Sequence, residues 1–315
     1  MFFRNSIYAI ALSLPVIAGN AAAQTVSIGT NPQGSLAYAV GAAISKVAIE
    51  KGDVQMRVVP QGGPNVVVPL VNAGELEFSI ADSNTSNSAI EGTGEFRRAN
   101  PDLRVAAVLL DLYSGFMVRA DSDIKTLEDL KGKRVASDFI KQATVHENAG
   151  AVLATVGLSF EDVVRVPVTD GVSGVEDFET GNVDSTFFSL NSGRTLQADA
   201  ALGGTRVLPI ADTEQAAKQL AESRAGAWVT VLQPDPSFPG IAEATPVYTA
   251  AFVLLTSKNV SDETVHDVVK AIYENKPALE ASAGAFSSFD PAQMKRDIGL
   301  PFHPGALKFY AETGN

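Results

Sequence analysis

No cysteine occurs anywhere in the 315-residue chain. That absence excludes disulfide staples, thiol nucleophiles and thiolate metal ligands together, and with them the lipid-attachment cysteine of a bacterial lipoprotein. Histidine is scarce as well. His146, His266 and His303 stand far apart, without an HExxH motif or the i,i+4 partner that a zinc site uses. There is no GxSxG elbow, no GxxxxGK[ST] phosphate loop and no GxGxxG turn after a strand. A non-catalytic protein without metal or cofactor is therefore expected. Positive charge is in deficit: 24 Lys and Arg face 36 Asp and Glu, a net charge of −12. This balance disfavours nucleic acid and anionic membrane as partners. Beyond the first two dozen residues, no apolar run approaches the ~20 residues that span a bilayer.

The N-terminus carries what the rest lacks. Arg4 provides a positive start, Ile7 to Ala18 are almost wholly apolar, and Ala21-Ala22-Ala23 offers small residues. This is the layout of a secretory signal peptide over residues 1–23, with the mature chain starting at Gln24. Removing Arg4 takes the net charge from −12 to −13. About 290 residues remain, enough for two domains. A mature chain of this kind is expected outside the inner membrane, in the periplasm, and not embedded in it.

Strand and helix signals alternate along the mature chain. Val26 to Gly29 reads as a short buried strand. Leu36, Val40, Ile44 and Val47 recur at helical spacing before Gly52. Strands follow at Val54 to Val59, Glu77 to Ala81 and Leu103 to Leu110, with a helix at Asn65 to Ala73 in which Pro69 is awkward. A second unit begins near Arg119. It holds a helix at Thr144 to Val156 and strands at Val163 to Val168, Ser185 to Ser189 and Arg206 to Ile210. An apolar strand, Val247 to Thr256, and an amphipathic helix, Ser261 to Asn275, come after the irregular stretch around Pro234, Pro236 and Pro239. The rhythm predicts an α/β fold of two lobes, each a mainly parallel sheet flanked by helices.

Polar, glycine-rich loops sit between these strands and helices, where a parallel sheet binds its ligands. They contain Thr30, Asn31, Gln33 and Ser35, then Gln61, Gly62 and Gly63, then Asp82 and Ser83. The second half adds Lys141, Gln142 and Thr144, then Asn191 and Arg194. Helix N-termini at such loops suit carboxylate or phosphate. The same residue types also cap helices and make turns. Asp82 could cap the next helix or accept from a ligand amine. Tyr38 could pack on the core or stack over a ligand. Lys141 and Arg194 would be cationic partners for a carboxylate. Of Phe187 and Phe188, on opposite strand faces, one would be core and the other, taken as Phe188, would line the cleft.

These loops also carry a resemblance. Gly29-Thr30 with Gly34-Ser35 and Tyr38, Gln61-Gly62-Gly63 with Asn65, Gly74-Glu75 with Asp82, and Asp184 with Phe187-Phe188 resemble the TAXI family. So does the terminal run Leu300-Pro301-Phe302-His303-Pro304-Gly305-Ala306-Leu307-Lys308-Phe309-Tyr310. TAXI proteins are the extracytoplasmic solute-binding subunits of one class of TRAP transporter. The resemblance implies a type II periplasmic-binding-protein-like fold, with residues 24–117 and 248–315 forming one lobe and 118–247 the other. It also implies a cleft ligand such as glutamate, glutamine or 2-oxoglutarate, and a membrane permease partner. Lys141-Gln142-Ala143-Thr144 departs from the family's GSGT loop, which puts the ligand more in doubt than the family. An ABC-type binding protein for a sulfonate or thiamine precursor, or a secreted enzyme on the same fold, stands as the alternative. N-terminal sequencing of the exported protein should give a first residue at or near Gln24. Recovery of a membrane-embedded chain starting at Met1 would refute the cleaved leader.

Overall fold

The structure, a computed structural model, describes residues 25–314, so the leader expected over 1–23 lies outside the described residues. Strand β1 (Val26–Thr30) is buried along its whole length, as a strand covered on both faces must be. It pairs in parallel with β2 (Met56–Pro60) and β3 (Phe78–Asp82). Helix α1 (Leu36–Lys51) starts at Ser35, whose Oγ accepts the Tyr38 N–H, and buries Leu36, Val40, Ile44 and Val47. A side chain at Gly41 would bring Cβ within 2.4 Å of Thr30 Cγ2. Glycine there lets α1 lie close on β1. Helix α2 (Pro64–Ala73) accommodates Pro69 without breaking and ends at Gly74 in the left-handed region.

Helix α3 (Ser83–Glu91) follows β3 directly and buries Ser83, Asn84, Thr85 and Ser86. Strand β4 (Leu103–Arg119) then runs 17 residues, well past the strand expected to stop at Leu110. Gly115 lets it continue, because a Cβ there would meet Val207 at 2.9 Å. The chain goes on through β5 (Arg134–Ser137), α4 (Ala143–Ala154), β6 (Val164–Pro167), α5 (Gly171–Glu179) and β7 (Thr186–Ser189). After these come α6 (Gly193–Leu202), β8 (Thr205–Val207), α7 (Glu214–Ser223), β9 (Ala227–Leu232) and the 13-residue β10 (Thr245–Ser257). Helices α8 (Asp262–Glu274), α9 (Lys276–Ser282) and α10 (Pro304–Thr313) close the chain.

The main sheet runs β2-β1-β3-β10-β4-β7, with β8 also on β4 and β9 also on β10. It is mixed, not mainly parallel. Every strand paired with β4 or β10 runs antiparallel to it, and these two long strands run in opposite directions through the middle of the sheet. Each changes neighbours on the way. β10 lies against β9 over Thr245–Ala250 and against β3 over Phe252–Thr256. The two ends of this ladder belong to different lobes. One lobe packs α1, α8, α9 and α10 on β1–β3 and the adjoining half of β10, with Ile44, Phe78, Val268 and Phe309 in its core. The other packs α4 and α7 around Phe116, Val152, Phe187 and Leu220.

The terminal segment fastens the first lobe. His303 caps α10 with Nδ1 accepting the Gly305 N–H at 3.0 Å, while Nε2 donates to the Val260 carbonyl at 3.1 Å. The bond accepted at Nδ1 requires the neutral ring, and burial pushes its pKa below the ordinary histidine value. Tyr310 donates to the Ala106 carbonyl at 2.8 Å, tying α10 to β4. Gly305 sits against α8, where an added Cβ would lie 2.3 Å from the Asp262 carbonyl oxygen. Gly305→Ala should therefore destabilise the protein by about 1–3 kcal/mol, the usual cost of overpacking. Thermal unfolding monitored by circular dichroism should show a lower midpoint, and an unchanged midpoint would mean the α8–α10 contact is soft.

Candidate ligand-binding site

Where the lobes meet, a cavity of about 50 Å³ lies over the crossing strands. Asn31, Ser35, Leu36 and Ala37 at the start of α1, together with Pro64, Ile80 and Asp82, form one wall. Thr144, Val145 and Asn148 on α4, with Phe187, Phe188 and Ser189, form the other. Leu112, Ser114 and Phe252 of β4 and β10 make the floor. The first turns of α1 and α4 thus both border the cavity. The leading N–H groups of a helix have no intrahelical acceptor and carry a partial positive charge. The Oδ1 atoms of Asn31 and Asn148 are buried without hydrogen-bond partners, and buried polar atoms are rarely left so.

Of the sixteen candidate residues, Asn31, Ser35, Asp82, Thr144 and Phe188 line the cavity. Asp82 is a helix cap: its carboxylate accepts the Thr85 N–H at 2.8 Å and the Thr85 hydroxyl at 2.9 Å. Phe187 lines the cavity as well as Phe188. Thr30 is buried beneath Gly41. Ser83 accepts the Ala251 N–H and donates to the Gly226 carbonyl. Gln142 accepts the Gly171 N–H at 2.6 Å. Gln33 is exposed, whereas Tyr38 and Gln61 are half-buried outside the cavity lining. Asn191 lines a neighbouring groove.

The cationic pair is not assembled. Arg194 is paired with Glu179 and lies 3.9 Å from Glu176, so two carboxylates on α5 already meet its charge. Its N–H, at the second residue of α6, donates to the Gly34 carbonyl across the cleft at 3.2 Å. Lys141 is exposed and lies over Gly62, where a Cβ would come 3.0 Å from that of Lys141. At Gly63 a Cβ would be 2.8 Å from the Lys141 carbonyl oxygen and 2.7 Å from Gln142 Cγ. These two glycines are where the lobes touch. The facing loop holds Asp138 and Phe139 at φ 63° and 40°, a strained conformation for residues with side chains.

The opposite flank is held by charge. Thr144 donates to Glu95 at 3.1 Å, and Glu95 pairs with Arg224 at 3.5 Å, their side chains 1% and 6% exposed. Asn84 donates to the carbonyls of Arg224 and Ala225 at 3.2 and 2.8 Å. Burial pushes the Glu95 carboxyl above its ordinary value despite the pull of Arg224. Burial works against the Arg224 charge too, but Tyr248, Asp82, Glu95 and Glu147 outweigh it and raise its pKa. Sequence reasoning missed Asn148, Ser114, Glu95 and Arg224. Only Asn148 left a signal, as a polar residue four places after Thr144 and so on the same helix face.

The same architecture recurs in solved structures. One described as a periplasmic transporter is 17% identical over 92% of each chain, with a TM-score of 0.60. The alkanesulfonate-binding protein SsuA from Xanthomonas axonopodis pv. citri, bound to MOPS, is 16% identical over 91% of this chain and 83% of that one, at 0.52. A histidine kinase sensor domain with similarity to periplasmic binding proteins is 12% identical over 84% and 97%, also at 0.52. The fold is thus the two-lobed α/β fold of periplasmic binding proteins. The chain belongs to the NMT1-like family, whose model matches residues 28–314.

The buried pair between the lobes yields a test. Glu95→Ala should destabilise the protein by about 3–5 kcal/mol, because it strands a buried guanidinium. The double variant Glu95→Met with Arg224→Met should recover most of that loss. Urea denaturation of the wild type, the Glu95→Met and Arg224→Met single variants and the double variant measures the coupling, and strictly additive losses would show that the two charges do not depend on each other.

Proposed function

We propose that this protein is an extracytoplasmic solute-binding protein that closes its two lobes over a small molecule bearing an anionic group. A carboxylate is the leading class, and a TRAP-type permease is the membrane partner. One observation carries the reading: the enclosed cavity is walled by both lobes and bordered by two helix N-termini. In this reading the negative charge is received by the first turns of α1 and α4, while the unpartnered Oδ1 atoms of Asn31 and Asn148 would accept from donor groups of the ligand. Arginine and lysine are not needed for it. The resemblance of the glycine-rich loops and of the terminal Leu300–Tyr310 segment to TAXI proteins supports the transporter class. Residues 24–117 with 248–315 would move as one body against 118–247, hinged where β4 and β10 cross. An ABC-type partner with a sulfonate ligand is the second reading. It is favoured by the likeness to an alkanesulfonate-binding protein.

A thermal-shift screen of amino acids, dicarboxylates, 2-oxoacids and sulfonates tests both readings. A true ligand at one hundred times Kd adds ~2.7 kcal/mol. With the ligand so found, Thr144→Val and Asn148→Leu should each weaken binding about tenfold or more by calorimetry, since each removes a polar group from the cavity wall. Arg194→Ala should leave affinity within about threefold, corresponding to less than ~1 kcal/mol. A screen answered only by cationic or apolar compounds would overturn the anionic reading.

A further inference from the structure

The cavity, at about 50 Å³, is far smaller than the ~300–1,000 Å³ of a typical small-molecule site. Immediately beside the cavity, and sharing Leu36 as a wall, lies a groove of about 490 Å³, well within the range of small-molecule sites. Leu36 and Ala39 of α1 and Ala285 after α9 form its first side. Leu196 of α6 and Phe238 form its second. Its sides come from different lobes, so closure builds it together with the cavity. The Arg194 N–H to Gly34 carbonyl bond joins the lobes at this edge.

We infer that this groove is a second subsite of the same ligand site, one that takes the apolar portion of a ligand whose anionic head sits in the cavity. The inference rests on the anionic reading of the cavity. Two features set the character of the tail. Leu196 is 41% exposed in the groove wall, an apolar surface that a hydrocarbon would cover. Asp235 lies on the rim and repels a second negative group, so the tail is uncharged and the ligand is a monoanion with an apolar chain. A dicarboxylate satisfies the head and offends the groove.

Straight-chain carboxylates from acetate to octanoate, titrated calorimetrically or by competition, supply the test. Affinity should rise about fourfold per methylene beyond the shortest members, the value of ~0.8 kcal/mol per buried CH₂. Leu196→Asp and Ser287→Trp, both on the groove wall and both at the surface, should abolish that increment while leaving acetate affinity within about twofold. Binding of short acids with no dependence on chain length would overturn the subsite and keep the anionic head. An increment that survives both variants would move the tail elsewhere and also overturn it. Failure of every acid, and of the corresponding straight-chain sulfonates, to bind would refute the anionic reading itself, and this inference with it.

Discussion

Two strands carry the whole arrangement. β4 and β10 lie side by side, antiparallel, over Leu103–Ser114 and Tyr248–Ser257, and each lends one end to each lobe. A ladder of that length resists sliding, because both strands are covered on both faces and a one-residue slip would exchange the side chains packed on each. It can still twist. The cavity sits over the crossing, where Leu112, Ser114 and Phe252 form its floor. The side chains that line it come from these strands and their neighbours as well as from α1 and α4. At Ala251, where β10 leaves one neighbour for another, Ser83 Oγ takes the strand's N–H at 3.2 Å. A polar side chain thereby completes a hydrogen bond that no strand supplies.

Charge at the lobe contact is handled without leaving it toward the cavity. Arg194 is met by Glu179 and Glu176, and Arg224 by Glu95. Asp82, the acid on the cavity wall, is occupied by Thr85. What remains to face a solute is a set of hydroxyls, carboxamides, helix ends and aromatic rings. Such a lining recognises through dipoles, which cost less to bury than ions. The acidic surface of the molecule and the lining of its cleft, uncharged except for Asp82, are accordingly independent properties.

Much of the fold could be read from the sequence because it was written as period. Leu36, Val40, Ile44 and Val47 predicted α1, and Val265, Val268, Val269 and Ile272 predicted α8. Both sets are buried. Helix α3 escaped that logic. Its Ser-Asn-Thr-Ser start has weak helix propensity, and it is held by the Asp82 cap and by Asn84 bonding to carbonyls more than a hundred positions away. The loops bearing the cavity residues were found, but their charged members were assigned by proximity to a strand end. Nothing local reveals that Arg194 turns to Glu179, or that Glu95 will meet Arg224. Those pairings exist only once the chain has folded.

The ladder between β3 and β10 also bears on how the chain assembles. Its partners, such as Ala81 with Val253, are separated by most of the chain, and α8 and α10 cover the same lobe from the far end. Loop closure over such a distance makes long-range pairing slow. The other lobe draws most of its core from neighbouring segments, with Phe116 of β4 and Tyr248 and Ala250 of β10 added to it. The lobe that begins the chain depends more heavily on the far end. Until β10 arrives, β3 has an unpaired edge, and that interval is when the polypeptide is most open to wrong partners.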